Sequence, residues 1–174
     1  MRVRALVKRT PPQRERLNIN DVVREVTALM RSELQKRGIV LQTRLATDLP
    51  QVSGDRIQLQ QVILNLIVNA AEAMSGEGEG RRELLIDTEG DDTEGELSSE
   101  VLVAVRDSGP GLDPDSLDHL FTAFYTTKPQ GMGMGLAISR SIIEAHGGRL
   151  WATANEDRGA MFQFTLPADA ERVS

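Results

Sequence analysis

The segment from Arg56 to Met74 constrains the fold most, because its apolar residues occupy most of a helical surface. A helix that is apolar around much of its circumference is stable only when other elements cover it on several sides. Asp55, followed three residues later by Gln58, forms a capping-box pattern at its start. The sequence therefore predicts a central, buried helix from about Arg56 to Met74. Its apolar residues are Leu59, Val62, Ile63, Leu66, Ile67, Ala70 and Ala73.

Helical and alternating patterns on both sides of this segment predict the remaining elements. An earlier helix is expected to start at Asp21 with Asn20 as its cap, and to stop at Gly38. The order of elements is helix, strand, helix, strand, strand, long loop, helix, strand, strand, which differs from a regular βαβ repeat. We therefore predict a mixed sheet covered by helices. The predicted strands are 39–45, 83–88, 100–106, 150–154 and 161–166; the acidic segment 89–99 joins the second to the third, and the third helix spans about 134–146.

Composition fits one domain of 174 residues and excludes several classes of function. The chain has no cysteine, which excludes disulfides and Cys-ligated metals. No apolar run approaches the roughly 20 residues that span a bilayer. The net charge of −6 is concentrated between Glu77 and Glu100, where ten acidic residues accompany two basic ones. The rest of the chain lacks the basic stripe of a nucleic-acid binder. We expect a cytoplasmic, monomeric domain without nucleic-acid or membrane contacts.

Two amides lie on the otherwise apolar central helix. Asn65 and Asn69 are four residues apart and therefore project from the same helical face. Burying an amide costs free energy unless its hydrogen bonds are satisfied. One interpretation is that both side chains bond to neighbouring backbone. The other is that an amide oxygen coordinates Mg²⁺, a hard cation that takes oxygen ligands.

Two glycine-rich segments, and an aromatic segment between them, carry the other candidate residues. Asp107 directly follows a predicted strand and begins Asp-Ser-Gly-Pro-Gly; its carboxylate can accept a hydrogen bond from an amino group such as that of adenine. Residues 120–128 contain three of the six aromatic residues, which indicates an anchored lid with Lys128 near a phosphate. Residues 131–136, Gly-Met-Gly-Met-Gly-Leu, lead into the third helix, whose first N–H groups suit an anion. Taken singly, the three segments are also compatible with a tight turn, core packing and an ordinary loop.

Together and in this order, the four segments resemble the N, G1, F and G2 boxes of histidine kinase catalytic domains. These domains share a superfamily with gyrase, the ninety-kilodalton heat-shock chaperone and MutL. Residues 158–167 resemble the G3 box. The sequence of residues 126–148 is similar to that of kinases of the nitrogen- and oxygen-sensing type. The resemblance covers about 18–167, leaving 1–17 as a linker or the tail of a dimerisation helix hairpin and 168–174 as a C-terminal tail. It implies the Bergerat ATP-binding fold, an α/β (α+β) two-layer sandwich with about five strands and three main helices.

The resemblance also implies a role for each matching residue. Asn69 would be the Mg²⁺ ligand, and Asn65 would lie one turn earlier, near the phosphates. Asp107 would recognise the adenine amino group, and Ala73 would face the base from the helix. Lys128 would join Asn65 and Asn69 as a catalytic residue by neutralising phosphate charge. The rest of the ATP site would comprise Gly109, Gly111, Leu112, Thr127, Gly131, Gly133, Gly135 and Leu136, with a lid over about 113–131.

The implied activity is transfer of the γ-phosphoryl group of Mg·ATP to a histidine outside this chain. Neither His119 nor His146 is followed by an acidic residue, so the acceptor is expected on a separate dimerisation domain of the parent kinase. A response regulator would receive the phosphate next. Asn65 stands where the superfamily's ATP hydrolases have a glutamate that activates water, and an amide lacks the basicity for this. Two alternatives remain: an ATP hydrolase like gyrase or MutL, and a non-catalytic module that binds nucleotide or a partner protein.

Overall fold

The computed structural model of the chain describes residues 14–75, 82–91, 100–109, 135–154 and 159–169. Within these ranges five strands form one mixed sheet, two further strands form a ribbon, and three helices are present. The predicted sandwich of about five strands and three helices is therefore confirmed. The helices are α1 (Ile19–Lys36), α2 (Arg56–Ser75) and α3 (Gly135–Ala145); the strands are β1 (Arg14–Leu17), β2 (Val40–Arg44), β3 (Val52–Asp55), β4 (Glu83–Asp91), β5 (Glu100–Asp107), β6 (Arg149–Ala154) and β7 (Ala160–Pro167).

The helices cover one face of the sheet, as the alternation of side chains along the strands shows. Val103 and Val105 on β5 and Phe164 on β7 are at most 1% exposed. Arg106 and Gln163, which point to the opposite face, are only half-buried. Helix α2 lies between α1 and α3 and supplies buried residues from about half of its circumference, which confirms its predicted central position. Among the described helices none combines the length and the apolar character that crossing a membrane requires.

The sheet has the order β2-β4-β5-β7-β6, with β2 parallel to β4 and every other pair antiparallel. In the β4–β5 hairpin Leu84 lies opposite Asp107, and Asp91 lies opposite Glu100. The pairing of these two strands agrees with the prediction, although β4 continues beyond its predicted end at Thr88. Residues 92–99 of the acidic segment lie outside the described part of the chain.

The start of α1 differs from the sequence-based prediction. Asn18, not Asn20, is the N-cap, and its Oδ1 accepts a hydrogen bond from the backbone N–H of Asn20 at 2.8 Å. The side chain of Asn20 is buried and bonds to the carbonyl of Ala46 at 2.7 Å and to the hydroxyl of Thr88 at 2.8 Å. The prediction that Asn20 caps a helix starting at Asp21 is wrong, because a tertiary network uses this amide.

The ribbon of β1 and β3 brings the first and last described segments together. Arg14–Leu17 pair with Val52–Asp55, and the last residue of β1 is only 3% exposed. The N–H of Asp169 donates to the carbonyl of Gln51 at 2.7 Å, and its carboxylate pairs with Arg16 at 2.8 Å. The predicted boundaries at 18 and 167 are therefore too narrow: 14–17 form a strand, not a linker, and 168–169 pack against the ribbon. The predicted hairpin tail at 1–8 lies outside the described residues.

Candidate functional site

Three half-buried residues of α2, Asn65, Asn69 and Ala73, follow one another at four-residue spacing. Residues at this spacing lie one above the other on the same side of a helix. With a rise of about 1.5 Å per residue, the row is about 12 Å long. These three residues therefore form a row along one side of α2, with Asn65 at one end and Ala73 at the other.

At the Asn65 end the row meets the start of α3. The amide nitrogen of Asn65 donates to the hydroxyl of Ser139 at 3.1 Å and to the carbonyl of Gly135 at 3.4 Å. Ser139 is fully buried, and Leu136 packs against the core. The first turn of α3, which follows the glycine-rich segment in sequence, therefore lies against α2 beside Asn65.

At the other end the row meets the turn that follows β5. A Cβ atom added to Gly109 would lie 3.2 Å from the carbonyl oxygen of Ala73 and 3.3 Å from the side chain of Met74. The absence of a side chain at Gly109 therefore lets the turn approach the helix backbone closely. The hydroxyl of Ser108 accepts a hydrogen bond from the N–H of Glu83 at 2.9 Å and fixes the turn to the start of β4.

Asp107 is a buried carboxylate at this end, with 4% of its surface exposed. Its Oδ1 accepts hydrogen bonds from the N–H of Gly109 at 2.8 Å and the N–H of Ala160 at 3.3 Å. Gly159, with φ +91°, lies so close that a Cβ there would overlap the carbonyl oxygen of Asp107. Backbone from two separate segments thus fixes the position and orientation of this carboxylate, whose two oxygens can accept more hydrogen bonds than these two.

The described part of the chain brings most of the predicted residues to one side of α2. Asn65, Asn69 and Ala73 form the row, Gly135 and Leu136 lie at one end, and Asp107 and Gly109 lie at the other. The row therefore connects the predicted phosphate end with the predicted adenine end. The remaining candidates lie outside the described residues, and their roles stay predictions: Gly111, Leu112, Thr127, Lys128, Gly131 and Gly133.

A metal at this site would depend on amide and not on carboxylate ligands from the described residues. No group of three or more His, Cys, Asp and Glu side chains is arranged to hold a metal ion in the described ranges. Mg²⁺ keeps several waters and takes one or two protein oxygens together with phosphates. An amide oxygen halfway along the row, at Asn69, fits that demand.

His146 has a structural role. It is 5% exposed, its Nδ1 lies 2.8 Å from the carbonyl oxygen of Ile142, and its Nε2 accepts from the N–H of Asp55 at 3.1 Å. These two contacts suit the tautomer in which Nδ1 carries the hydrogen and donates to the carbonyl. The side chain therefore joins the end of α3 to the start of α2. His119 lies outside the described residues.

Sequence reasoning did not identify Ser139 as a site residue, and it assigned no contact to Gly159 and Ala160 within the segment that resembles the G3 box. Ser139 lies four residues after Gly135 and therefore on the same face of α3, a spacing that could have indicated it. The contact between Ala160 and Asp107 joins residues 53 apart in sequence, and no local pattern predicts it.

Residues 54–170 match the family of histidine kinase-, DNA gyrase B-, and HSP90-like ATPases, and the match includes the whole row on α2 and both of its ends. The chain belongs to this family. The resemblance inferred from the sequence motifs is therefore confirmed.

Within the family, the ATPase domain is similar to sensor kinases. It is 42% identical to the sensor protein FixL of Bradyrhizobium diazoefficiens over 171 residues, which cover 98% of this chain and 32% of FixL. It is 36% identical to the sensor histidine kinase TmoS of Ectopseudomonas mendocina over 165 residues, covering 95% of this chain and 16% of TmoS. The domain thus spans a third or less of these two relatives.

Solved structures of histidine kinases have the same fold. The catalytic domain of ThkA superposes with a TM-score of 0.76 at 32% identity, covering 90% of this chain and 98% of that one. Full-length ShkA in complex with AMPPNP gives a TM-score of 0.77 at 28% identity, covering 92% of this chain and 32% of ShkA. ThkA in complex with the response regulator TrrA gives 0.73 at 28% identity, covering 98% of this chain and 47% of that one.

Proposed function

We propose that this domain binds Mg·ATP and transfers the γ-phosphoryl group to a histidine on a separate dimerisation domain of its parent kinase. The observation that carries the proposal is the row on α2, which joins a buried carboxylate to the first turn of a helix over about 12 Å. ATP has a purine at one end and an anionic phosphate chain at the other. The carboxylate end of the row suits the purine, and the end at the first turn of α3 suits the phosphates.

The adenine end is formed by Asp107, Gly109 and Ala73. A carboxylate held by two backbone N–H groups is oriented in advance, so accepting a hydrogen bond from the exocyclic amino group of adenine requires little reorganisation. Gly109 has no side chain and Ala73 has only a methyl group, which suits the close approach of a flat base. Selectivity for adenine would then come from the acceptor character of Asp107.

The phosphate end is formed by α3 and by the amides of α2. The first N–H groups of a helix lack partners within the helix and attract anions. In the proposal Gly135 and Leu136 present such groups, and Asn69 supplies an oxygen for Mg²⁺. A Mg²⁺ ion bound there would neutralise charge on the phosphate oxygens. Lys128, outside the described residues, is proposed to add a positive charge on the lid.

Transfer is favoured over hydrolysis by the residue at position 65. Phosphoryl transfer needs mainly positioning and charge neutralisation, and the acceptor imidazole supplies the nucleophile itself. Asn65 lacks the basicity to activate a water molecule. Transfer to a histidine is therefore better supported than steady hydrolysis of the gyrase type.

The partners in this proposal are the histidine-bearing dimerisation domain and, after it, a response regulator. The similarity to sensor kinases supports this assignment, and for ThkA a complex with a response regulator is known. We place the domain in the cytoplasm, where ATP is available, and expect it to be monomeric when isolated.

Calorimetric titration with a non-hydrolysable ATP analogue, with and without Mg²⁺, tests the binding step. We expect Mg²⁺ to strengthen binding, and Asp107→Asn to weaken it by about 1.5–3 kcal/mol, the range for hydrogen bonds to charged groups. The asparagine keeps an oxygen for Gly109 and Ala160 but replaces an acceptor by an NH₂ group that opposes the adenine amino group. Asp48→Asn, at an exposed position, is the matched control and should bind like the wild type.

Incubation with the separately prepared dimerisation domain and radiolabelled ATP tests the transfer step. We expect label on the acceptor histidine and little release of inorganic phosphate from the isolated ATPase domain. Steady phosphate release without the acceptor would support the hydrolase instead. Analogue binding without any transfer would support the non-catalytic module.

A further inference from the structure

The side chain of Asn65 makes two contacts with α3 and both come from its amide nitrogen. The nitrogen lies 3.1 Å from the hydroxyl oxygen of Ser139 and 3.4 Å from the carbonyl oxygen of Gly135. The two acceptors are four residues apart and share one face of α3. Asn65 therefore spans the first turn of this helix from its beginning to its end.

This arrangement uses the hydrogen-bonding capacity of Asn65 in a defined way. The NH₂ group of an asparagine has two hydrogens, and two acceptors on α3 take them. The carbonyl of Gly135 already accepts the helical hydrogen bond from residue 139, so Asn65 uses its second lone pair. Ser139 is fully buried, and a buried hydroxyl needs a partner. The donor side of Asn65 is thus directed at protein and not at a ligand.

We propose that Asn65 and Ser139 are a positioning pair that holds the first turn of α3 against α2, so that its N–H groups face the phosphates of ATP. The inference rests on the function proposed above and changes one part of it. Asn65 acts through α3 and is a positioning residue, whereas the motif alone placed it among the catalytic groups.

The C-terminal end of α3 is fixed by other contacts, so the pair of Asn65 and Ser139 determines the position of its N-terminal end. His146 links the end of the helix to Asp55, and the guanidinium of Arg14 donates to the carbonyl of Ala145 at 2.9 Å. A helix held at its C-terminal end can still tilt at its free end. The contact between Asn65 and Ser139 removes that freedom where the phosphate-binding N–H groups are located.

A double-mutant cycle with two ligands tests the pair. The variants are Asn65→Ala, Ser139→Ala and both together, titrated with a non-hydrolysable ATP analogue and with adenosine. Ser139→Ala should weaken binding of the analogue about fivefold, the value of one ordinary hydrogen bond. Adenosine, which has no phosphate, should bind unchanged. The double variant should be no weaker than Asn65→Ala, because both changes remove the same contact.

Ser141→Ala is the matched control, since Ser141 is an exposed serine on the same helix. It should bind both ligands like the wild type. The proposal is overturned if Asn65→Ala weakens the analogue while Ser139→Ala does not, because Asn65 would then contact the nucleotide directly. Equal losses for the analogue and for adenosine also overturn it, since they indicate general damage to the fold.

Amide hydrogen exchange of the nucleotide-free chain separates this proposal from the proposed function. Backbone N–H groups of residues 139 and 140 are the first with partners inside α3. Asn65→Ala and Ser139→Ala should speed their exchange about fivefold or more, and Ser141→Ala should not. Failure of the wild type to bind the analogue would contradict the proposed function while leaving this measurement decisive. Unchanged exchange in both variants would contradict the positioning pair even if ATP binds.

Discussion

Backbone N–H groups from two segments hold the carboxylate of Asp107 in place. One of its oxygens accepts from the N–H of Gly109 and from the N–H of Ala160. Gly159 completes this arrangement, because its left-handed backbone carries the chain past the carbonyl of Asp107 without a side chain. The adenine end of the site thus depends on a glycine that contacts no nucleotide in our proposal.

Replacement of this glycine tests that dependence. Gly159→Ala should lower the free energy of unfolding by more than about 2 kcal/mol, since a left-handed alanine costs about 1–2 kcal/mol and its Cβ also overlaps the Asp107 carbonyl. Gly38→Ala is the control: its φ is +71°, and a Cβ there meets nothing within 4 Å. It should cost only the backbone part. Urea denaturation of both variants measures the difference, and equal losses would show that the close approach is unimportant.

The start of α1 shows that two neighbouring asparagines on one element do different work. Asn18 caps the helix locally, through the N–H of Asn20. The side chain of Asn20 reaches the chain between β2 and β3 and also the hydroxyl of Thr88, which in turn accepts from the N–H of Ala46. The helix is therefore joined to the sheet by a closed polar network inside the core.

We expect the two asparagines to differ in their contribution to stability. Asn18→Ala should cost about 1 kcal/mol, which is typical of an N-cap. Asn20→Ala should cost more, about 2–3 kcal/mol, because it removes both the 2.7 Å donor to the half-buried carbonyl of Ala46 and the acceptor of the buried Thr88 hydroxyl. Thermal or chemical unfolding of the two variants provides the comparison. A larger loss for Asn18→Ala would restore the simple capping interpretation.

At the scale of the whole molecule, the β1–β3 ribbon connects the first described segment of the chain with the last. It pairs residues 14–17 with 52–55, receives Asp169 from the last described segment, and lies beside the ends of α2 and α3. Residues 14–17 are therefore part of the folded unit.

Leucine substitutions test whether β1 belongs to the fold. Leu17 is 3% exposed, and Leu17→Ala should cost about 2–5 kcal/mol as a core truncation. Leu29 on α1 is 73% exposed, and Leu29→Ala should stay within about 0.5 kcal/mol of the wild type. Denaturant midpoints give both values. A loss at Leu17 as small as that at Leu29 would mean that residues 14–17 behave as a linker after all.

Features that depend on local geometry were predictable from the order of the residues. Helical periodicity located α2 and α3 nearly to their ends, and alternation located the strands of the large sheet. The four-residue spacing of Asn65 and Asn69 is enough to place both on one face of α2, because a helix repeats every 3.6 residues. The glycine-rich sequence motifs identified the family, because close approach of backbone to a ligand demands glycine at fixed positions.

Contacts that join distant segments became visible only in the folded chain. Asn65 meets Ser139 across 74 residues, Asp107 meets Ala160 across 53, and β1 pairs with a strand that the sequence did not reveal. Strands of four residues are too short to show a period, and a polar side chain has the same appearance in sequence whether it caps its own helix or bonds across the core. Which hydrogen-bond partner the side chain takes depends on how all the elements pack together, and no local stretch of the chain contains that information.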